Sequence, residues 1–87
     1  MTPAATRRMA RARILAQSTL NLFNRGQRGR KLEHHITGHG PADVWQDAEG
    51  HHCRCYGLQS APSSSRTAAI TAWAAKTLQQ TDERKTA

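Results

Sequence analysis

Histidine and cysteine residues are concentrated in the middle of this chain, and both residue types could bind a metal ion. The set comprises His34, His35, His39, His51, His52, Cys53 and Cys55. Such side chains are the usual zinc ligands, and zinc stabilises small folds. The spacing does not match, because paired zinc cysteines normally have two intervening residues and Cys53 and Cys55 have one. We therefore expect no metal, no other cofactor, and buried cysteines that pack as small apolar residues.

The same residues could be considered as a catalytic Cys–His pair. On an extended strand His51 and Cys53 would share one face, while His52 would point to the other. No third group that would orient the histidine can be identified in the sequence. Gly26 and Gly29 also lack the spacing of a phosphate-binding glycine loop. We therefore expect that the protein is not an enzyme.

The excess positive charge of the chain, whose net value is +7, lies entirely in its first third. Residues 1–31 contain eight basic residues and no acidic one. Residues 32–87 are almost neutral, with five basic and six acidic residues. Self-repulsion within an uncompensated basic segment costs stability, so this separation indicates an acidic partner.

Arginine binds phosphate oxygens through paired hydrogen bonds and stacks on exposed bases. The leading prediction is therefore a small basic protein that binds DNA or RNA, mainly through phosphate contacts. The residues predicted to contact nucleic acid or an acidic partner are Arg7, Arg8, Arg11, Arg25, Arg28, Arg30, Lys31 and Arg54. An acidic protein surface is the alternative partner, and a solvated basic face is the third interpretation. Ile14, Leu15 and Leu22 could form a protein contact or a homodimer surface, and burial within the chain's own fold is the equal alternative.

Two aromatic residues, Trp45 and Tyr56, are candidates for base stacking. Strand alternation in a hairpin over about 42–58 favours an inward face with Val44, Cys53 and Cys55. The opposite surface would then carry Trp45, His52, Arg54 and Tyr56. The alternative interpretation is that Trp45 is simply the core aromatic of a small hairpin.

The remaining patterns predict the elements that position these residues. Thr2 and Pro3 begin a helix that continues to about Phe23, followed by a mobile basic loop over 25–31. A short strand is predicted over 32–37, and the hairpin turn over 47–50. A serine among residues 63–65 should cap a last helix that ends near residue 80. Its buried stripe is predicted to be Ile70, Trp73, Ala74 and Leu78.

Together these elements predict a small single α+β domain over residues 1–81, with a frayed tail over 82–87. Its basic helix and loop occupy 1–31, its strands 32–58 and its last helix 63–80. The sheet has two or three antiparallel strands, and the C-terminal helix packs on it. The 87 residues are only 37% hydrophobic, so a homodimer is possible. No apolar run is long enough for a membrane span. The two cysteines give no disulfide framework, so we expect a reducing cytoplasm.

The order helix–strands–helix, with Gly40, Pro41 and Ala42 before the hairpin, resembles a double-stranded-RNA-binding domain. That family carries a lysine pair at the start of its last helix, where this chain has Ser64, Ser65 and Arg66, so its phosphate-contact motif is not carried over. In size and style the chain also resembles small inhibitors from phages and mobile elements, such as anti-CRISPR proteins. This likeness implies an alternative function, in which the protein binds and blocks a bacterial protein or nucleoprotein complex.

Overall fold

The computed structural model describes the backbone of residues 3–86 and the side chains of residues 6–80. The elements are α1 (Pro3–Asn24), α2 (Arg30–His39), β1 (Ala42–Asp47), β2 (Gly50–Cys55), β3 (Leu58–Gln59) and α3 (Arg66–Thr86). The strands form one antiparallel sheet in the order β1-β2-β3. Helix α3 packs on α1 and on β2. The predicted small α+β fold is therefore confirmed.

The predictions for the two ends of the chain can be compared with the structure only in part. The predicted cap Thr2 lies outside the described residues. Helix α3 continues to Thr86, beyond the predicted end near residue 80, and the side chains of the predicted tail over 82–87 lie outside the described residues. Within the described part of the chain, no helix is both long and apolar enough to cross a bilayer.

The core lies where α3 meets α1 and the sheet. The predicted stripe of α3 is confirmed, since Ile70, Trp73 and Ala74 are fully buried and Leu78 packs beside them. Trp73 Nε1 donates a hydrogen bond of 3.0 Å to the carbonyl oxygen of Cys55, the last residue of β2. This bond satisfies the indole donor in the core and links α3 directly to the sheet.

Helix α3 begins as the serine-rich segment predicts. Ser65 Oγ accepts a 3.0 Å hydrogen bond from the backbone N–H of Ala68, which confirms a serine cap. One residue later, Arg66 Nε forms a 3.0 Å ion pair with Glu33 Oε1 of α2. The start of α3 is thus joined to α2 at the surface.

The strand predicted over 32–37 is wrong, because these residues belong to α2. Leu32 and Ile36 are one helical turn apart, and both are fully buried. The β-branched Ile36 and Thr37 favour a strand locally, but the i, i+4 spacing lets a helix bury two large side chains together. The basic loop is consequently shorter than predicted, and Arg30 and Lys31 begin α2.

The remaining loop, Arg25–Gly29, is attached to the rest of the fold at both ends. Gly26 has a φ of +99°, and the N–H of Gln27 donates to the carbonyl of Leu22 at 3.0 Å, as in a Schellman helix end. At the other end, the N–H of Gly29 donates to Thr67 Oγ1 of α3 at 2.7 Å.

The predicted β1–β2 hairpin is confirmed, and its register settles the two faces. Val44 pairs with Cys53 and Trp45 with His52 across the hairpin. Both cysteines are fully buried, as predicted for the inward face. Trp45 and His52 share the opposite face with Arg54, also as predicted. His52 is only 3% exposed, however, so its predicted place on the surface is wrong.

Tyr56 does not lie on that opposite face, and its predicted position there is wrong. The second strand ends at Cys55, so it is shorter than the predicted 51–58. Tyr56 (φ 52°) and Gly57 (φ 78°) then form a two-residue turn, after which Leu58 pairs with Cys55. The turn ends the strand alternation, and the Tyr56 ring packs against the core cluster.

Gly40, between α2 and β1, leaves the space that this ring occupies. A Cβ atom at Gly40 would lie 2.6 Å from Leu15 Cδ2, 3.2 Å from Tyr56 Cε2 and 3.3 Å from Cys55 Sγ. At Gly38, within α2, a Cβ atom would meet nothing within 4 Å. The two glycines therefore differ in packing although they are separated by one residue.

We predict that Gly40→Ala lowers the free energy of unfolding by about 1–3 kcal/mol, the usual cost of overpacking. Gly38→Ala is the matched control and should raise it by about 0.5–1 kcal/mol, because alanine favours helix. Urea denaturation followed by circular dichroism measures both values. Equal effects of the two substitutions would contradict the close packing at Gly40.

Candidate nucleic-acid interface

Two adjoining open grooves lie along one side of α1. The first, called here the arginine groove, measures about 500 Å³ and is lined by Arg7, Arg8, Arg11, Pro41, Tyr56 and Gly57. The second, the histidine groove, measures about 530 Å³ and is lined by Arg11, Ile14, Leu15, Ser18, His35, His39 and Tyr56. Both fall within the size range of ligand sites. Arg11 and Tyr56 belong to both grooves, so the two form one continuous surface.

The cations of the arginine groove are available to a ligand. Arg7, Arg8 and Arg11 lie within about one turn of α1 and are exposed. None of the three has a hydrogen bond or ion pair with the described part of the chain. None of the residues described as lining either groove is acidic. A concave surface with one sign of charge concentrates oppositely charged ligands.

Tyr56 forms the boundary between the two grooves. Its left-handed backbone is uncommon for a bulky residue, and asparagine or glycine is favoured at such a turn position. The ring is half-buried, with the core behind it and the grooves in front. An aromatic ring held in this way is a rigid surface on which a planar group could stack.

The histidine groove is polar but less cationic. The Ser18 hydroxyl donates to the Leu15 carbonyl at 3.0 Å, so His35 Nε2 donates to Ser18 Oγ at 2.8 Å. The His35 and His39 rings lie 4.8 Å apart between centroids. Burial lowers the pKa of His35, and neighbouring His39 lowers it further. The lowered pKa disfavours the charged form of His35, so Arg11, which is always charged, is the main cation of this groove.

The structure does not bring the loop cations to these grooves. At about 1.5 Å per residue, fourteen helical positions separate Arg11 from Arg25 by about 21 Å along α1. Arg25, Arg30 and Lys31 are exposed at that far end. Arg28 is engaged within the fold: its guanidinium lies 3.9 Å from the centroid of the Phe23 ring. It also donates to the carbonyls of Phe23 at 2.7 Å and Gln27 at 2.8 Å.

The outer face of the hairpin holds the last two predicted contact residues, Arg54 and Trp45. Arg54 Nη2 pairs with Asp43 Oδ2 at 3.2 Å, and Trp45 stacks on His52 at 5.0 Å between ring centroids. His52 Nε2 is hydrogen-bonded to Asp47 Oδ1 at 2.8 Å, and this bond lowers the pKa of Asp47. The carboxylates on this face offset its one arginine, so it is poorly suited to phosphate.

The histidines and cysteines, for which the sequence predicts no bound metal, are dispersed among α2, β2 and the core. In the described part of the chain, Asp47, Glu49 and His52 have ligand atoms within 4.8 Å of one another. Two of them are exposed, and His52 Nε2 already bonds Asp47 at hydrogen-bond distance. These contacts account for the group without a metal.

Sequence reasoning missed the part of the groove that α2 supplies. The predicted strand over 32–37 does not place His35 against α1, so the sequence indicates His35 and His39 only by residue type, as possible metal ligands. The spacing of Leu32 and Ile36 was the available signal for a helix. A helix there carries His35 to Ser18 of α1.

No protein-family model, curated protein or solved structure matches this chain. The order of elements also differs from helix–strands–helix, since α2 stands between α1 and β1. The chemistry of the two grooves is therefore the guide to what the protein binds.

Arg28→Ala is predicted to lower the free energy of unfolding by about 1 kcal/mol or more, because it removes hydrogen bonds to the end of α1 and the contact with Phe23. Arg25→Ala is the matched control, because it removes the same charge from an exposed residue nearby. It should change the free energy of unfolding by less than about 0.5 kcal/mol. Thermal and urea denaturation measure the difference. Identical stabilities would show that Arg28 has no such structural role.

The two cysteines should be unreactive in the folded protein. Burial raises the pKa of Cys53 to about 12 and that of Cys55 to about 11. Alkylation by iodoacetamide at pH 8 should therefore be at least about 100-fold slower than in denaturant, because the thiolate is the reactive form. Both pKa values exceed that of an unfolded thiol, so stability should fall as pH rises from about 9 towards 12. Rapid alkylation of folded protein would contradict this.

Proposed function

We propose that this protein binds nucleic acid without catalysing a reaction, and that the arginine groove makes the phosphate contacts. The observation that carries the proposal is the convergence of three exposed arginines with one tyrosine on a concave surface. Arginine recognises phosphate oxygens through its planar, always charged guanidinium. The free, buried thiols are in keeping with a reducing cytoplasm.

The distribution of the other cations supports the choice of this groove. Arg54 and Arg66 each face a carboxylate, and Arg28 bonds backbone carbonyls. Exposed ion pairs of this kind compete with phosphate for the guanidinium. Arg7, Arg8 and Arg11 have no such competitor in the described part of the chain. The exposed cations Arg25, Arg30 and Lys31 also lack one, but they do not line either groove, whereas the three arginines of α1 converge beside Tyr56. Binding of phosphate would neutralise the charge of these three arginines, which the described residues leave uncompensated.

The test compares two variants with the same change in net charge. Arg7→Gln, Arg8→Gln and Arg11→Gln together remove the groove cations, whereas Arg25→Gln, Arg30→Gln and Lys31→Gln remove exposed cations at the far end of α1. Fluorescence anisotropy with labelled 15-nucleotide DNA and RNA of mixed sequence is recorded from 50 to 200 mM NaCl. Circular dichroism confirms that both variants are folded.

We expect wild-type affinity to fall steeply with salt, because bound phosphates release counterions. The groove variant should bind at least about tenfold more weakly at 50 mM NaCl. Its slope of log K against log salt should be shallower by about 2, since each phosphate contact contributes roughly 0.7–0.9. The far-end variant should lose less than about threefold. Equal losses in the two variants, or no binding by wild type, would refute the proposal.

A protein partner is the second candidate, and the exposure of Ile14 favours it. This side chain is 70% exposed beside Arg11, whereas Leu15 is buried and Leu22 packs against the core. An inhibitor that docks on an acidic protein patch would use such an apolar residue within a basic surface. This candidate predicts capture of one protein at fixed stoichiometry from a nuclease-treated bacterial lysate, and loss of that protein with Ile14→Asp.

A further inference from the structure

Resting on the proposed function, we infer that the ligand is single-stranded nucleic acid, with its backbone in the arginine groove and one unpaired base stacked on Tyr56. The two grooves meet at this ring and differ in charge. A nucleotide has the same division, because its phosphate is anionic and its base is planar and neutral.

The shape of the surface favours a single strand over a duplex. The groove cations lie between α1 on one side and Pro41, Tyr56 and Gly57 on the other. A protein helix that reads the base edges of a duplex commonly does so from the major groove, which is about 12 Å wide. Helix α1 is flanked along this side by the 56–57 turn and by α2, so it does not project. A flexible single strand can follow such a concave path.

The backbone of Tyr56 is the second, independent observation. A left-handed conformation at a bulky residue costs free energy, and such strain is concentrated at functional sites. The first position of this turn favours asparagine or glycine. Here a tyrosine occupies it and presents its ring to both grooves. Base stacking on an aromatic ring needs no particular sequence, because every base has a flat face.

The histidine groove supplies the surroundings for an unstacked base. Ile14 and Leu15 form apolar walls, and Ser18 and His35 provide a hydrogen-bonded polar edge. One arginine lines this groove and three line the arginine groove, so the phosphate is favoured in the arginine groove. Single-strand recognition commonly combines stacking with hydrogen bonds to exposed base edges. A nucleotide with its base in the histidine groove and its phosphate beside Arg7 and Arg8 would therefore occupy both grooves.

The first experiment compares the full chain with a labelled 12-nucleotide DNA strand, the same RNA strand, and the corresponding duplexes at 100 mM NaCl. We expect at least one single strand to bind about tenfold tighter than its duplex. Duplex binding that is equal or tighter would overturn this inference while leaving the proposed phosphate contacts standing. Absence of binding to every oligonucleotide would refute both.

The second experiment tests stacking on Tyr56 with 2-aminopurine placed in the strand. Wild type and Tyr56→Phe, which retains the ring, should quench its fluorescence and bind alike. Tyr56→Leu keeps an apolar side chain but lacks the ring, so it should abolish the quenching and weaken binding about tenfold. Unchanged quenching and affinity in Tyr56→Leu would overturn the inference.

A third experiment uses wild-type protein, so it does not depend on whether a Tyr56 variant folds. Tyr56 is the single tyrosine of the chain, so its ring protons can be identified by NMR without ambiguity. Stacking of a base should shift these signals upfield when unlabelled single strand is added to wild-type protein. Their failure to move at saturation would overturn the assignment of Tyr56.

Discussion

The contact between Trp73 and the end of β2 is the constraint on which the rest of this structure depends. Trp73 is the largest fully buried side chain, and its indole N–H bonds the Cys55 carbonyl at 3.0 Å. The bond holds the sheet against α3 one residue before Tyr56 turns into its left-handed conformation. The ring of Tyr56 can then fill the space above Gly40 and form one wall of both grooves.

Charge is arranged by the same packing. Two arginines outside α1 face carboxylates: Arg54 pairs with Asp43, and Arg66 pairs with Glu33. The start of α1 has no such partners among the described residues, and three arginines remain exposed beside Tyr56. Among the described residues, the exposed cations with no carboxylate or carbonyl partner are therefore concentrated in two places, the arginine groove and the far end of α1 with Arg25, Arg30 and Lys31.

Much of the fold could be predicted from local patterns, and the wrong predictions for α2 and Tyr56 concern features that local patterns alone do not decide. The helical stripe of α3, the serine cap and the hairpin turn are each signalled within a few residues. Helix α2 was missed because its β-branched residues favour a strand, and the burial of Leu32 and Ile36 overrides that preference. Tyr56 was misplaced because nothing in its neighbours shows that the strand ends at Cys55.

The sequence by itself determined the fold class and the concentration of cations at one end of the chain. Both depend on residue type and spacing along the chain, because hydrophobic periodicity sets local secondary structure and charge is fixed by residue type. Tertiary structure alone decided which of those cations act together. Arg28 packs on Phe23, 21 Å or so of helix separates Arg25 from Arg11, and a turn from the sheet brings Tyr56 beside Arg11. These relations arise between residues far apart in the chain, so only the packed fold establishes them.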